Sequence, residues 1–180
     1  MWTDRLVALT SFAVSAHLMR HHYGPVKLVT DSTGAQLMEE LRIPYKDVDT
    51  RLDELNKTPS SHWVLAKLKA HSLLAQDGEH GAYLMSDLDV FLTKPLPAKF
   101  FATPVAVQSF ESLNDGRMSM LYQDALHHLL KALAAKDLPS WVESPHDLFA
   151  VEQSFNIGIF YTRLAKTMGK FADSMMEFID

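Results

Sequence analysis

Short apolar runs alternate along this chain with segments of helical period, and that alternation limits the fold more than any other feature. From Asp4 to His22 the residues Leu6, Leu9, Ala13, Ala16 and Met19 recur at helical spacing, and Tyr23-Gly24-Pro25 ends the run, which predicts a helix. Val26 to Thr30 reads as a short buried strand, and Asp31-Ser32-Thr33-Gly34 as a turn into a helix around Ala35 to Leu41. Ile43 to Ser61 is polar and broken by Pro44 and Pro59, so it reads as a connection with one weak strand near Tyr45 to Val48. Ser61 can cap a helix from His62 to Gln76, and Asp77 to Gly81 turns the chain into a second apolar strand, Ala82 to Ser86. Beyond it, Val90-Phe91-Leu92 is expected to continue extended, with a further strand from Thr103 to Ser109. A helix over Arg117 to Ala135, a loop from Ser140 to Pro145, a short helix near His146 to Ser154, the strand Ile157 to Tyr161 and a terminal helix complete the reading.

Strands separated by helices predict an α/β fold, an open and mostly parallel sheet flanked by helices, in a single domain spanning residues 1–180. In such sheets ligands gather beyond the carboxyl ends of the strands, where Asp31, Asp87 and Asp89 are predicted to lie. With 47% hydrophobic and 22% charged residues, 180 residues can bury one substantial core. A formal net charge of -5 gives no general attraction to nucleic acid, so no nucleic-acid partner is expected. The chain has no cysteine, which excludes disulfides, thiolate metal sites and a thiol nucleophile. No apolar run reaches about 18 residues and the first residues lack the order of a secretory signal; no transmembrane segment and a cytoplasmic location are therefore expected.

The segment from Tyr83 to Leu92 sets two carboxylates, Asp87 and Asp89, inside an otherwise apolar run. Burying two like charges without a partner is costly, so a cation or a set of donors should stand close by. Mn2+ or Mg2+ would serve, since either accepts carboxylate oxygen and can bridge to a diphosphate. The plainer alternative is a pair of acids capping a turn or meeting a lysine at an exposed strand end.

A helix, a turn, an apolar strand and then Asp-x-Asp-Val-Phe together resemble the DxD region of GT-A glycosyltransferases. Trp63-Val64-Leu65-Ala66-Lys67, Ser86-Asp87-Leu88-Asp89-Val90-Phe91-Leu92 and Phe155-Asn156-Ile157-Gly158-Ile159-Phe160 occur in the order that family uses. Leu28-Val29-Thr30-Asp31-Ser32-Thr33-Gly34 is similar to a strand-to-loop segment of its bacterial members. The resemblance implies a Rossmann-like GT-A sheet and transfer of a sugar from a nucleoside-diphosphate sugar to a hydroxyl acceptor. It implies that Asp89 holds the metal, and that Asp87 meets the ribose or supports the metal shell. It also implies that Asn156 and Gly158 lie near the donor sugar, where an amide can bind hydroxyls and an absent Cβ admits the ligand.

Other positions carry two readings each. Lys67 shares a helical stripe with Trp63, Ala70 and Leu74; its ammonium either snorkels to solvent or meets an anion, a diphosphate or Asp87. Lys69 points elsewhere and is expected to be solvated. Asp31 is a helix-entry residue or a nucleotide contact, and Glu152 a surface acid or the base of an inverting reaction. His17 and His21 lack the Glu of a His-Glu-x-x-His site, and His127-His128 diverge on their helix, so histidine-bound metal is not expected.

Two further readings compete with sugar transfer. Leu84 to Asp89 also resembles the nucleophile motif of haloacid dehalogenase-like phosphatases, with Asp87 attacking phosphorus and Asp89 as acid/base, although Phe91 fits that motif poorly. The other is a noncatalytic binding domain, suggested by a chain that opens in a helix and stops at Asp180 without a recognisable histidine ligand, as if trimmed at both ends relative to GT-A enzymes.

Overall fold

The computed structural model describes residues 4–57, 64–77, 81–112 and 153–179. The helices expected over 117–135 and 146–152, the loop at 140–145, and Trp63, Glu152, His127 and His128 lie outside the described residues. The chain divides into two compact units, Met1–Ala106 with Gly158–Asp180, and Val107–Ile157. In the second unit the described residues belong to two strand segments.

Helix α1 spans Arg5–Tyr23. The Asp4 carboxylate accepts the Leu6 and Val7 amides at its start, and Gly24 at φ 83° ends it by donating its N–H to the Arg20 carbonyl. Its buried side differs from the expected stripe: Ser11, Ser15, Ala16 and Met19 are inside, whereas Leu6 is 73% exposed. Strand β1 (Lys27–Val29) leads to α2 (Ser32–Glu40), whose start is capped by Asp31 through a 2.6 Å bond from the Gly34 amide. Strand β2 (Asp47–Asp49) runs parallel to β1, with Lys27 opposite Asp47 and Val29 opposite Asp49. Ala16, Leu28, Met38 and Ile43 form a core where α1 and α2 cover this pair.

After a 3-10 turn at Arg51–Leu55, helix α3 (Val64–Gln76) delivers the chain to β3 (Tyr83–Ser86). Strands β4 (Val105–Ser112) and β5 (Gln153–Thr162) and helix α4 (Ala165–Ile179) follow. Helix α4 presents Ala165, Gly169 and Ala172 as its buried side. A Cβ added at Gly169 would stand 2.4 Å from the Ala75 Cβ, so α3 and α4 approach as closely as a missing side chain permits.

The expectation of an open, mostly parallel Rossmann-like sheet is overturned. Among the described residues there are two sheets, the parallel pair β1-β2 and a three-stranded sheet in the order β3-β5-β4. Strand β5 runs antiparallel to β3, pairing Tyr83 with Thr162 and Ser86 with Ile159. An apolar run such as Ile157 to Tyr161 suits a buried strand of either direction, so hydrophobic pattern could not distinguish the two. Gln153 and Ser154, expected in a short helix, begin β5 instead.

Candidate anion site at the end of strand β3

The chain leaves β3 at Asp87 and turns at once. The Val90 amide donates to the Asp87 carbonyl across 3.3 Å, so the expected extended run through Leu92 is a turn carrying Leu88 and Asp89. The Asp87 amide donates to the Gly158 carbonyl at 2.8 Å, which ties the Asp-x-Asp turn to the antiparallel neighbour β5. Asp89 is exposed on this turn and Asp87 is half-buried.

Lys67 reaches the same point from α3. Its Nζ lies 2.7 Å from Asp87 Oδ2, with the two side chains 25% and 28% exposed. Of the two readings of Lys67, the anionic partner is the one found, and that partner is Asp87. Lys69, expected in solvent, pairs with Glu54 at 2.5 Å. Ser15 from α1 donates to the Asp87 carbonyl at 3.4 Å and Ser86 to the same oxygen at 3.1 Å. These groups edge a cavity of about 520 Å³ whose lining includes Ala70, Leu74 and Tyr83.

Asp31 spends one carboxylate oxygen on the cap of α2. Asn156 is half-buried on β5, two residues before the buried Gly158.

Asp87 and Asp89 are the carboxylates expected to bind Mn2+ or Mg2+. Asp87 Oδ2 is already engaged by Lys67, and among the described residues no group of three His, Cys, Asp or Glu side chains comes together. At this point the described residues supply the Lys67 ammonium, the Asp87 carboxylate paired with it and the exposed Asp89 carboxylate on the turn.

Two features escaped sequence reasoning. His71, one turn beyond Lys67 on α3, is 3% exposed, and its Nδ1 lies 2.7 Å from the Tyr83 hydroxyl. Burial, and then the neighbouring Lys67 charge, push its imidazole down to about 4, so it is neutral at pH 7. Burial likewise pushes the Tyr83 phenol above its ordinary range, and that hydroxyl stays protonated. The helical offset of four between Lys67 and His71 was a legible signal, whereas the Tyr83 partner was not.

The second feature is an ionic cluster on β1 and β2. Lys27 Nζ contacts Asp77 at 2.5 Å and Asp49 at 3.2 Å, and the Arg51 guanidinium contacts Asp49 at 2.5 Å and Asp77 at 2.9 Å. Hydrogen bonds from Arg51 hold the Asp49 carboxyl far below its ordinary range against the opposing effect of burial. Asp49 and Asp77 each meet both Lys27 and Arg51, so the cluster fastens the end of α3 to the β1-β2 pair.

A model of a family of unknown function, DUF6734, matches residues 1–180, the whole chain. No curated protein and no solved structure matches. Among the described residues no helix is long and apolar enough to cross a membrane.

Proposed function

We propose that this chain, which belongs to DUF6734 over its whole length, binds the diphosphate of a nucleoside-diphosphate sugar at the turn after β3 and transfers the sugar to a hydroxyl acceptor. The observation that carries the proposal is the Lys67–Asp87 pair at a strand end bonded to Gly158. It joins, in one place, three segments singled out for donor binding and widely separated in sequence.

The chemistry follows from what each group can do. An arriving diphosphate would compete with Asp87 for charge-assisted bonds from the Lys67 ammonium, at a site where Lys67 is only about a quarter exposed. As negative charge grows on the departing diphosphate, Lys67 stabilises it more strongly than it stabilises the bound donor. Asp87, relieved of part of its pairing, accepts a hydroxyl of the ribose. On the resemblance alone, Asn156 is proposed to meet the sugar and Glu152 to serve as base for the acceptor hydroxyl. The donor is drawn from the cytoplasm in this proposal.

A noncatalytic nucleotide-binding role is the second reading. It is favoured by the exposed position of Asp89 on the turn, away from the pairing of Asp87 with Lys67. Incubation with nucleoside-diphosphate sugars and a panel of hydroxyl acceptors, following release of nucleoside diphosphate, separates the two. Turnover that Lys67→Met abolishes supports transfer. Saturable binding without release, with or without Mn2+, supports the noncatalytic role.

A further inference from the structure

The cavity beside the Lys67–Asp87 pair has a lining unlike that of a pocket on the face of a sheet. It takes in every residue from Pro25 to Val29 along β1 and every residue from Tyr83 to Leu88 along β3. A face would contribute alternate residues, because successive side chains of a strand point to opposite sides; an unbroken run marks an edge. Among the described residues β1 ends its sheet and so does β3, and their edges border this one cavity.

Hydrogen bonds fix which peptide groups look into it. Val26 accepts from Lys46, and Thr30 donates to Asp49, so the even-numbered residues of β1 turn their peptide groups toward β2. Lys27 and Val29 therefore direct theirs the other way. On β3, Asp87 donates to Gly158, and with Tyr83 and Met85 it faces β5; Leu84 and Ser86 face the opposite edge. All four outward-facing residues line the cavity. Among the described residues, no hydrogen bond links their peptide groups to another element. The helices that border the space contribute four small side chains, Ser15, Ala16, Ala66 and Ala70, beside the larger Met19, Lys67 and Leu74. Tyr45 also lines it, and its hydroxyl is buried without a hydrogen-bond partner.

We infer that this cavity is a slot for one extended, apolar segment of a partner polypeptide, which pairs with β1 on one side and β3 on the other. The dimensions agree. A residue of strand occupies roughly 160 Å³, from a rise of about 3.4 Å, a strand spacing of about 4.8 Å and a layer depth of about 10 Å. A cavity of about 520 Å³ therefore takes a segment about as long as β1 itself. The segment would satisfy edge donors and acceptors that otherwise depend on water, and would join the two sheets into one. Its side chains must be apolar, because the lining is largely Leu, Val, Met and Ala. The inference does not depend on nucleotide binding.

The test uses the full chain and an acetylated, amidated tetrapeptide of alternating valine and alanine, with no nucleotide present. Amide hydrogen exchange is followed at Lys27, Val29, Leu84 and Ser86. With the peptide at ten times its dissociation constant, exchange at these four amides should slow roughly tenfold. The same peptide N-methylated at its central amides keeps its apolarity and loses donors, and it should give no protection. Ala70→Leu, which narrows the slot, should weaken the peptide effect. No protection of the four amides by the unmodified peptide would overturn the inference. Equal protection by the N-methylated peptide would also overturn it, by making the cavity a general apolar pocket. Protection that rises with protein concentration alone would assign the slot to a second copy of the chain and overturn the partner segment.

Discussion

Lys67 Nζ stands 2.7 Å from Asp87 Oδ2, joining the inner side of α3 to the turn that follows β3. The pair is neither fully buried nor fully exposed, so its coupling should fall between the range for surface pairs and that for buried ones. A double-mutant cycle with Lys67→Met and Asp87→Asn, read by urea unfolding, should return a coupling of about 1 to 2 kcal/mol. A coupling indistinguishable from zero would mean that the two charges do not hold the site together.

His71 makes stability depend on pH in a defined window. Its imidazole titrates near 4 in the folded protein against 6.5 when free, so the unfolded chain binds the proton more readily. The contribution is complete above pH 6.5 and is lost as pH falls toward 4, up to about 3 kcal/mol in all. His71→Gln should flatten the dependence of unfolding free energy on pH across that window. An unchanged slope in the variant would remove His71 as its source.

The Lys27–Asp49–Arg51–Asp77 cluster should respond unequally to loss of its two acids. The Asp49 side chain is 7% exposed and Asp77 is 38% exposed. Asp49→Asn should cost about 2 to 3 kcal/mol and Asp77→Asn at most about 1 kcal/mol. Both carboxyls titrate below their ordinary value, so their stabilisation is present at neutral pH and is lost as pH falls below the free carboxylate range. Equal costs in chemical denaturation would contradict this ordering.

Gly169 sets the separation of α3 from α4. Gly169→Ala would place a methyl 2.4 Å from the Ala75 Cβ, an overlap that the helices relieve only by moving apart. The gain in helix propensity, about 1 kcal/mol, opposes an overpacking cost of about 1 to 3 kcal/mol. The variant should unfold at lower urea, and adding Ala75→Gly should restore most of the loss.

What was legible in the sequence divides along physical lines. Local signals were legible: Asp31 as a helix-entry residue, Gly24 as the end of α1, and a helical stripe that left the Lys67 head to reach either solvent or an anion, of which the structure has the anion. Relationships between distant segments were not. The antiparallel direction of β5 depends on how its edge meets β3, which an apolar run such as Ile157 to Tyr161 leaves open. The turn at Asp87 is held by a backbone bond from Val90 that Val and Phe side chains give no hint of. Lys27 and Asp77 are 50 residues apart, and nothing near either one names the other. The Asp-x-Asp segment was thus located correctly at the end of a strand, whereas the sheet around it was not the expected one.

The most direct test of the donor-site account is calorimetric titration of the full chain with uridine, guanosine, adenosine, cytidine and thymidine diphosphates and their sugar conjugates, with and without Mn2+. Saturable binding of at least one, weakened at least roughly tenfold by Lys67→Met in a variant that remains folded, is the predicted result. Absence of binding by every member of the panel to the folded protein, or binding unaltered by both Lys67→Met and Asp87→Asn, would contradict it.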